Sequence, residues 1–279
     1  MNLQPVKDPL HGNEEIKMTG KTIWTDLQRL RAAAPLVHNI TNFVVMNNTA
    51  NALLAIGASP VMAHAPEEVE EMVGIASALV INIGTLSRDW IAAMEIAMQA
   101  AAVKGIPIIF DPVGAGATTY RTQTCRDLLQ GSAPAVIRGN ASEIMALVDA
   151  TVQTRGVDSA APGSSAEAAA TELARKYGCV VVVSGETDLI TEGTKKNYVK
   201  NGHALMPKVT GLGCTATALI GAFAAINPDP LAAATHAMAI MGICGEIAAA
   251  TAAGPASLQV NLIDSFYNLD EEQISRLLK

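Results

Sequence analysis

Ile106-Pro107-Ile108-Ile109-Phe110-Asp111-Pro112 is an apolar run that stops at an Asp-Pro turn signal. Three more runs share its form: Ala78-Leu79-Val80-Ile81-Asn82-Ile83 before Gly84-Thr85, Ala135-Val136-Ile137-Arg138 before Gly139-Asn140, and Cys179-Val180-Val181-Val182-Val183 before Ser184-Gly185-Glu186. Apolar residues at successive rather than alternate positions suit strands buried on both faces. Helical patterns lie between them, over Trp90 to Val103, over Ala166 to Tyr177, and from the capping sequence Asn140-Ala141-Ser142-Glu143 through Val148. Strands alternating with helices predict an α/β fold in which a mostly parallel central sheet is covered by helices. Such sheets bind ligands outside the carboxyl ends of their strands. All four runs end in polar residues beside Gly or Pro, so those ends form one candidate rim.

After Ser184 the pattern changes. Asp188 to Thr191, the Glu192-Gly193 turn, Asn197 to Val199 and Asn201-Gly202 predict a strand meander, and everything beyond Cys214 reads as helical. Residues 151–165, with Gly, Ser and Pro, read as a surface loop. No composition break or linker divides the chain. The expectation is an N-terminal extension over residues 1–20 and a single domain over 21–279.

The 279 residues are 50% hydrophobic and 16% charged, with a formal net charge of -7. A chain of this length and hydropathy buries a large core, and its acidity without a basic cluster argues against nucleic acid. The most apolar stretch, Leu231 to Gly254, is interrupted by His236, Gly242, Gly245 and Glu246, which suits a packed core helix better than a membrane span. Its many alanines also suit a subunit interface. Met1 to Gly20 has no apolar targeting region, which makes the cytoplasm the expected location. Four cysteines lie far apart, so neither disulfides nor zinc is expected.

Gly211-Leu212-Gly213-Cys214 is the strongest chemical signal. Two glycines let backbone approach a ligand, and the following helix aims its free N–H groups and positive dipole end at it, which makes an anion hole. Gly211-x-Gly213-x-x-Ala216 also fits a loose dinucleotide pattern, but the next acid, Asp229, sits in Asn227-Pro228-Asp229-Pro230 rather than at a strand end. No Walker-type phosphate loop occurs. Phosphoryl transfer needs an acid for metal, a cation for developing charge, and donors around the transferred group. Glu143 is a magnesium candidate, and Asn140-x-x-Glu143 is equally an ordinary capping box. Arg138 in an apolar strand calls for an anion, either a ligand or a structural partner. Asp111 fits metal or phosphate as well as a turn, and so do Glu186 and Asp188.

A different polar group occupies the N-terminal third: His38-Asn39-Ile40-Thr41-Asn42, Met46-Asn47-Asn48-Thr49 and Gly57-Ala58-Ser59-Pro60-Val61-Met62. Amides and hydroxyls beside apolar residues suit a small neutral ligand, while His38 and Met62 taken singly also read as core residues.

Together these segments resemble the hydroxyethylthiazole kinase family of the ribokinase-like superfamily. The resemblance rests on Pro35 to His38 with Thr41-Asn42, Leu54 to Met62, Asn82 to Leu86, Asp111 to Gly116, Arg138 to Glu143, Ser184 to Glu186 and Lys208 to Cys214, in family order across roughly residues 35–265. It implies a three-layer α/β/α fold and magnesium-dependent transfer of phosphate from ATP to 4-methyl-5-(2-hydroxyethyl)thiazole, in a homotrimer with sites at subunit interfaces. It also implies roles: Met62 and Gly211 contact the thiazole with Asn42 nearby, Arg138 and Ser184 contact ATP, and Asp111 and Glu143 serve the magnesium–phosphate side. Gly211, Gly213 and Cys214 form the catalytic loop. Two other readings stay open, an ADP-dependent hydratase repair enzyme of the same superfamily and a binding protein without catalysis.

Two departures bear on mechanism. Where the family pattern has a small residue this chain has Leu212, which must point away from the phosphate if the hole is to keep its width. Ribokinase-like enzymes generally place an aspartate base where Cys214 stands. A thiol titrates near about 8.5, is lowered by a helix N-terminus and raised by phosphates, and is thus a weak base. The loop amides, magnesium and Arg138 are expected to carry most of the catalysis.

Overall fold

In the computed structural model, which describes residues 18–148 and 163–279, the uninterrupted apolar runs form the centre of one eight-stranded sheet. The strands are β1 Leu36–Ile40, β2 Ser59–Val61, β3 Ala78–Asn82, β4 Ile108–Asp111, β5 Val136–Asn140, β6 Val180–Ser184, β7 Asp188–Thr191 and β8 Lys196–Val199. Their order is β2-β1-β3-β4-β5-β6-β7-β8. Pairings from β2 through β6 are parallel, and the meander adds β7 and β8 antiparallel. The sheet begins two strands earlier than the four apolar runs indicate. β1 carries the buried polar residues His38 and Asn39, and β2 is a three-residue edge strand containing Pro60, so neither has the strand signature of the others.

Helices cover both faces. On one lie α1 Gly20–Ala33, α2 Met46–Ile56, α8 Leu212–Ala224, α9 Pro230–Thr251, α10 Pro255–Asn268 and α11 Glu271–Leu277; on the other lie α3 Val69–Ile75, α4 Arg88–Lys104, α5 Thr119–Gly131, α6 Ala141–Val148 and α7 Gly163–Tyr177. Successive strand residues feed opposite cores. Val80 and Ile109 pack with the first set, Leu79, Ile81 and Phe110 with the second, because side chains alternate across a sheet. The result is the expected three-layer α/β/α architecture.

Several expectations shift in detail. Residues 1–17 of the N-terminal extension and 151–162 of the loop lie outside the described residues, whereas 163–165 form the first turn of α7. Gly202 is outside any strand, and Met206–Lys208 form a short 3-10 turn. The helix after the glycine loop begins at Leu212, with Gly211 as its N-cap, so Cys214 belongs to its first turn. Asp229 caps α9 by accepting from the Leu231 amide (2.9 Å), a structural task that removes it from any dinucleotide reading. α9 is long and apolar enough to cross a membrane, yet 83% of its most apolar window is buried inside the fold. Small residues here allow close approach within the chain: a Cβ on Gly242 would stand 2.4 Å from the Asn201 carbonyl oxygen.

Candidate active site

The carboxyl ends of β1, β3, β4, β5 and β6 meet the N-terminus of α8 at one edge of the sheet. Gly211 reaches that position with φ +83°, and a Cβ there would be 2.6 Å from Val45 Cγ1, so only glycine fits both the backbone and the space. The first intrahelical bond runs from the Thr215 amide to the Gly211 carbonyl (2.9 Å). The amides of Leu212, Gly213 and Cys214 precede it and face outward from the helix end, as an anion hole requires. Leu212 turns its side chain onto the hydrophobic core, leaving the hole its width.

Arg138, from β5, lies against this first turn: a Cβ on Gly213 would stand 2.6 Å from its Nη1. Its Nη2 donates to Ser184 Oγ (2.6 Å), and Ser184 Oγ donates to the Gly139 carbonyl (3.3 Å). Arg138 Nε is buried without a partner among the described residues. Among the described residues no carboxylate forms an ion pair with this strand arginine, whose guanidinium lies against the anion hole.

A second set of polar groups crosses the strand ends. Asn82 and Asp111 are direct neighbours in the β3–β4 register. Asn42 Nδ2 donates to Asn82 Oδ1 (2.9 Å) and lies 3.5 Å from Cys214 Sγ; Asn82 Nδ2 donates to Asp111 Oδ2 (2.8 Å); Thr217 Oγ1, from α8, donates to the same oxygen (2.8 Å). Asp111 is fully buried, and its Oδ1 has no partner among the described residues. Burial pushes its carboxyl up to about 6 against the pull of Arg138, with the nearby Glu143 charge adding to the rise.

The capping reading of Glu143 holds, and the same carboxylate reaches one residue further. Its Oε2 accepts from the Asn140 amide (2.9 Å) while Asn140 Oδ1 accepts from the Glu143 amide (2.9 Å), a complete capping box; its Oε1 accepts from the Gly114 amide (2.8 Å). Burial raises its carboxyl, partly offset by those two amides. Magnesium in nucleotide sites takes one or two carboxylates together with phosphate oxygens and water. Asp111, with its unpartnered Oδ1, and Glu143 beside it offer that donor set, so these residues fit the ion.

Cys214 is not activated by its place in the helix. Burial first, and then the Asp111 charge, push its thiol up to about 12. It is a neutral hydrogen-bond partner of Asn42 at physiological pH. Asp188 turns out to anchor its turn, accepting from the Gly185 amide (2.9 Å), and Glu186 is exposed. His38 is buried, with Nε2 donating to the Ala63 carbonyl (2.8 Å). Met62 is half-buried just past β2, outside the hydrogen-bonded set; its carbonyl is 3.1 Å from His64 Nδ1. The His64 ring stacks on Trp90 at 4.3 Å, and Phe43 meets Trp90 edge-on at 4.5 Å. The structure thus gathers Gly211, Gly213, Cys214, Asn42, Arg138, Ser184, Asp111 and Glu143 at one edge. It adds Asn82, Thr217 and Arg121, which sequence reasoning gave no role. Arg121 donates to the carbonyls of Ile83, Val113 and Gly84 (2.9, 2.9 and 2.8 Å) and ties two rim loops together.

Comparison with known proteins decides the family. The hydroxyethylthiazole kinase family profile matches residues 27–272. The chain belongs to the hydroxyethylthiazole kinase family. Among curated members, the hydroxyethylthiazole kinase of Syntrophus aciditrophicus is 57% identical over 265 residues, covering 95% of this chain and 98% of that one. That of Oleidesulfovibrio alaskensis is 55% identical over 247 residues, 88% and 93% of the two chains. The solved hydroxyethylthiazole kinase of Pyrococcus horikoshii superposes with a TM-score of 0.85 at 45% identity, covering 93% of this chain and 98% of that one. A pyridoxal kinase from Staphylococcus aureus shares the fold alone, at a TM-score of 0.59 and 15% identity over 77% and 89%. The chain is accordingly a ribokinase-like kinase, and the hydratase reading falls away.

Proposed function

We infer that this hydroxyethylthiazole kinase family member transfers the γ-phosphoryl group of ATP to the hydroxyl of 4-methyl-5-(2-hydroxyethyl)thiazole. The observation that carries this reading is the meeting, at one sheet edge, of the α8 anion hole, the Arg138 guanidinium held on Ser184, and the buried Asp111–Glu143 pair. Phosphoryl transfer has a loose transition state whose charge spreads over the transferred group, so positioned donors do most of the work. The amides of residues 212–214 and the end of α8 would receive the phosphoryl oxygens, and Arg138 would offset their charge from the β5 side. Bound magnesium, held by Asp111 and Glu143, would neutralise the phosphate oxygens between them.

Cys214 occupies the position of a base without the acidity to be one, since its thiol keeps its proton to about 12. Its neutral sulfur and Asn42 would orient the hydroxyl of the acceptor. Gly211 would let the thiazole ring approach the backbone, and Met62 would flank it. The decisive experiment is ATP-dependent phosphorylation of hydroxyethylthiazole measured beside pyrimidine and sugar alcohols. Transfer to the thiazole alcohol at a kcat/KM well above the others is expected. No transfer to any of them, with binding retained, would leave a binding protein instead.

We propose in addition that the chain forms a homotrimer with its sites at subunit interfaces. Phe43 and Val44, directly after Asn42, are 64% and 62% exposed, which leaves an apolar surface beside the acceptor side of the site for a second copy to cover. Sedimentation equilibrium should give three times the chain mass; a monomer at micromolar concentration with full activity would remove this proposal.

A further inference from the structure

Asn82 lies at the middle of the polar set that joins the two halves of the site, and its orientation is unambiguous. Its Oδ1 accepts from Asn42 Nδ2 (2.9 Å) and from the Gly84 amide (3.0 Å), while its Nδ2 donates to Asp111 Oδ2 (2.8 Å). A flipped amide would turn an NH2 group toward two N–H donors, so it is excluded. Asn42 is fixed in the same way, because its Oδ1 accepts from the Val44 amide (3.1 Å) and leaves Nδ2 to face Asn82 and Cys214. Every bond in the set therefore has one direction. It runs from Asn42, beside Cys214, through Asn82 to Asp111, where Thr217 Oγ1 adds a second donor to the same oxygen.

Two consequences follow from the donor count. Asp111 Oδ2 is filled by Asn82 and Thr217, so Oδ1 is the oxygen left to face a ligand. The acceptor-side amide Asn42 is held by the same Asn82 side chain that holds Asp111. Gly84 makes the arrangement tight, since a Cβ there would stand 2.6 Å from Asn42 Nδ2. We propose that Asn82 is a positioning residue that aligns the acceptor side of the site, through Asn42, with the phosphate side, through Asp111, and that Thr217 positions the phosphate side alone. This deepens the kinase reading and rests on it.

Three variants separate the two tasks. Asn82→Ala removes the acceptor for Asn42 and a donor to Asp111; Thr217→Val removes, at nearly constant shape, the hydroxyl that donates to Asp111 and also lies 3.2 Å from the Gly213 carbonyl, with no link to Asn42; Thr217→Ser restores the hydroxyl. Binding is read by calorimetry, hydroxyethylthiazole without nucleotide in one titration and ADP with magnesium in the other, beside thermal unfolding to confirm the fold. Losing a hydrogen bond to a charged or buried partner should weaken binding about tenfold. Asn82→Ala is expected to weaken both ligands, Thr217→Val only magnesium-ADP, and Thr217→Ser neither. The proposal is overturned if folded Asn82→Ala binds both ligands as the unaltered protein does, or if Thr217→Val weakens the thiazole as much as Asn82→Ala. If the unaltered protein does not bind hydroxyethylthiazole, the substrate reading fails separately. Asn82 and Thr217 are then judged on magnesium-ADP, which both Asn82→Ala and Thr217→Val must weaken.

Discussion

The Arg138 guanidinium fills the space that a side chain on Gly213 would need: a Cβ there would stand 2.6 Å from Nη1 and 3.0 Å from Nη2. The glycine is thus required by the arginine as much as by any ligand. Gly213→Ala should keep the fold, because alanine favours a helix by about 1 kcal/mol and the clash is with the movable end of a side chain. It should also push Arg138 off Ser184. The expected outcome is an unchanged melting temperature with kcat/KM lowered about 10²-fold, the typical cost of losing one charge-stabilising donor. Full activity in the variant would show that Arg138 is not needed where it stands.

Cys214 supplies the second prediction. A thiol that ionises only near about 12 contributes no basic limb to the rate between pH 6 and 9. Cys214→Ser should retain kcat/KM within about tenfold, with a pH profile parallel to that of the unaltered protein. A loss as complete as withdrawal of magnesium would make the cysteine essential and the amide loop secondary.

The central sheet and most of the rim were legible in the chain because burial on both faces leaves uninterrupted apolar runs, and those runs end at the site. β1 was not, because His38 and Asn39 are polar yet fully buried. Such residues break the apolar pattern that marks the other central strands, and both are bonded to backbone carbonyls, of Ala63 and Val37. Glu143 shows a different limit. Capping and ligand readings share one spacing, and only the bond from the Gly114 amide reveals that this carboxylate also holds a rim loop. Thr217 carried no signal at all, being one hydroxyl on a small-residue helix whose partner Asp111 is 106 positions away. The Ala-rich stretch is ambiguous for a related reason: close approach looks the same in sequence whether the neighbour is another subunit or, as at Gly242, the chain's own Asn201.

Asp111 sets a pH dependence with an unusual sign. Its folded carboxyl titrates near about 6, above the ordinary 3.8, and Asp188 is raised to about 6 as well. A raised value means the folded state holds the proton more tightly than the unfolded chain. The stabilisation is therefore complete below 3.8 and is lost as pH rises through 6. Without metal and nucleotide, the protein should melt higher at pH 5 than these two groups allow at pH 8. Asp111→Asn keeps an acceptor for Asn82 and Thr217 and removes the buried charge. It should raise the melting temperature at pH 8 by about 5 °C, with the gain shrinking toward pH 4 while activity is lost. A lower melting temperature at pH 8 would contradict the burial argument.

Two glycines on α9 should respond differently to the same change. A Cβ on Gly242 meets backbone, the Asn201 carbonyl oxygen at 2.4 Å, whereas one on Gly245 meets the Met206 side chain. Backbone cannot step aside, but a methionine repacks. Gly242→Ala should cost about 2 kcal/mol or more by overpacking and Gly245→Ala distinctly less, measured by urea unfolding. Gly74→Ala in α3, where nothing lies within 4 Å, serves as the control and should be neutral or slightly stabilising.

Glu143 tests whether one carboxylate does two jobs. Both of its oxygens accept backbone N–H groups, from Gly114 and from Asn140. A glutamine has a single carbonyl oxygen, and its NH2 group must face one of those two N–H donors. In Glu143→Gln, then, either the Gly114 or the Asn140 amide loses its partner and should exchange with deuterium markedly faster, while the amides of β3 and β4 keep their protection. Activity should fall and excess magnesium should not restore it, because the Gly114 loop itself has shifted. A carboxylate acting only as a metal ligand gives the opposite pair of results: unchanged exchange at both amides, and activity recovered as magnesium is raised.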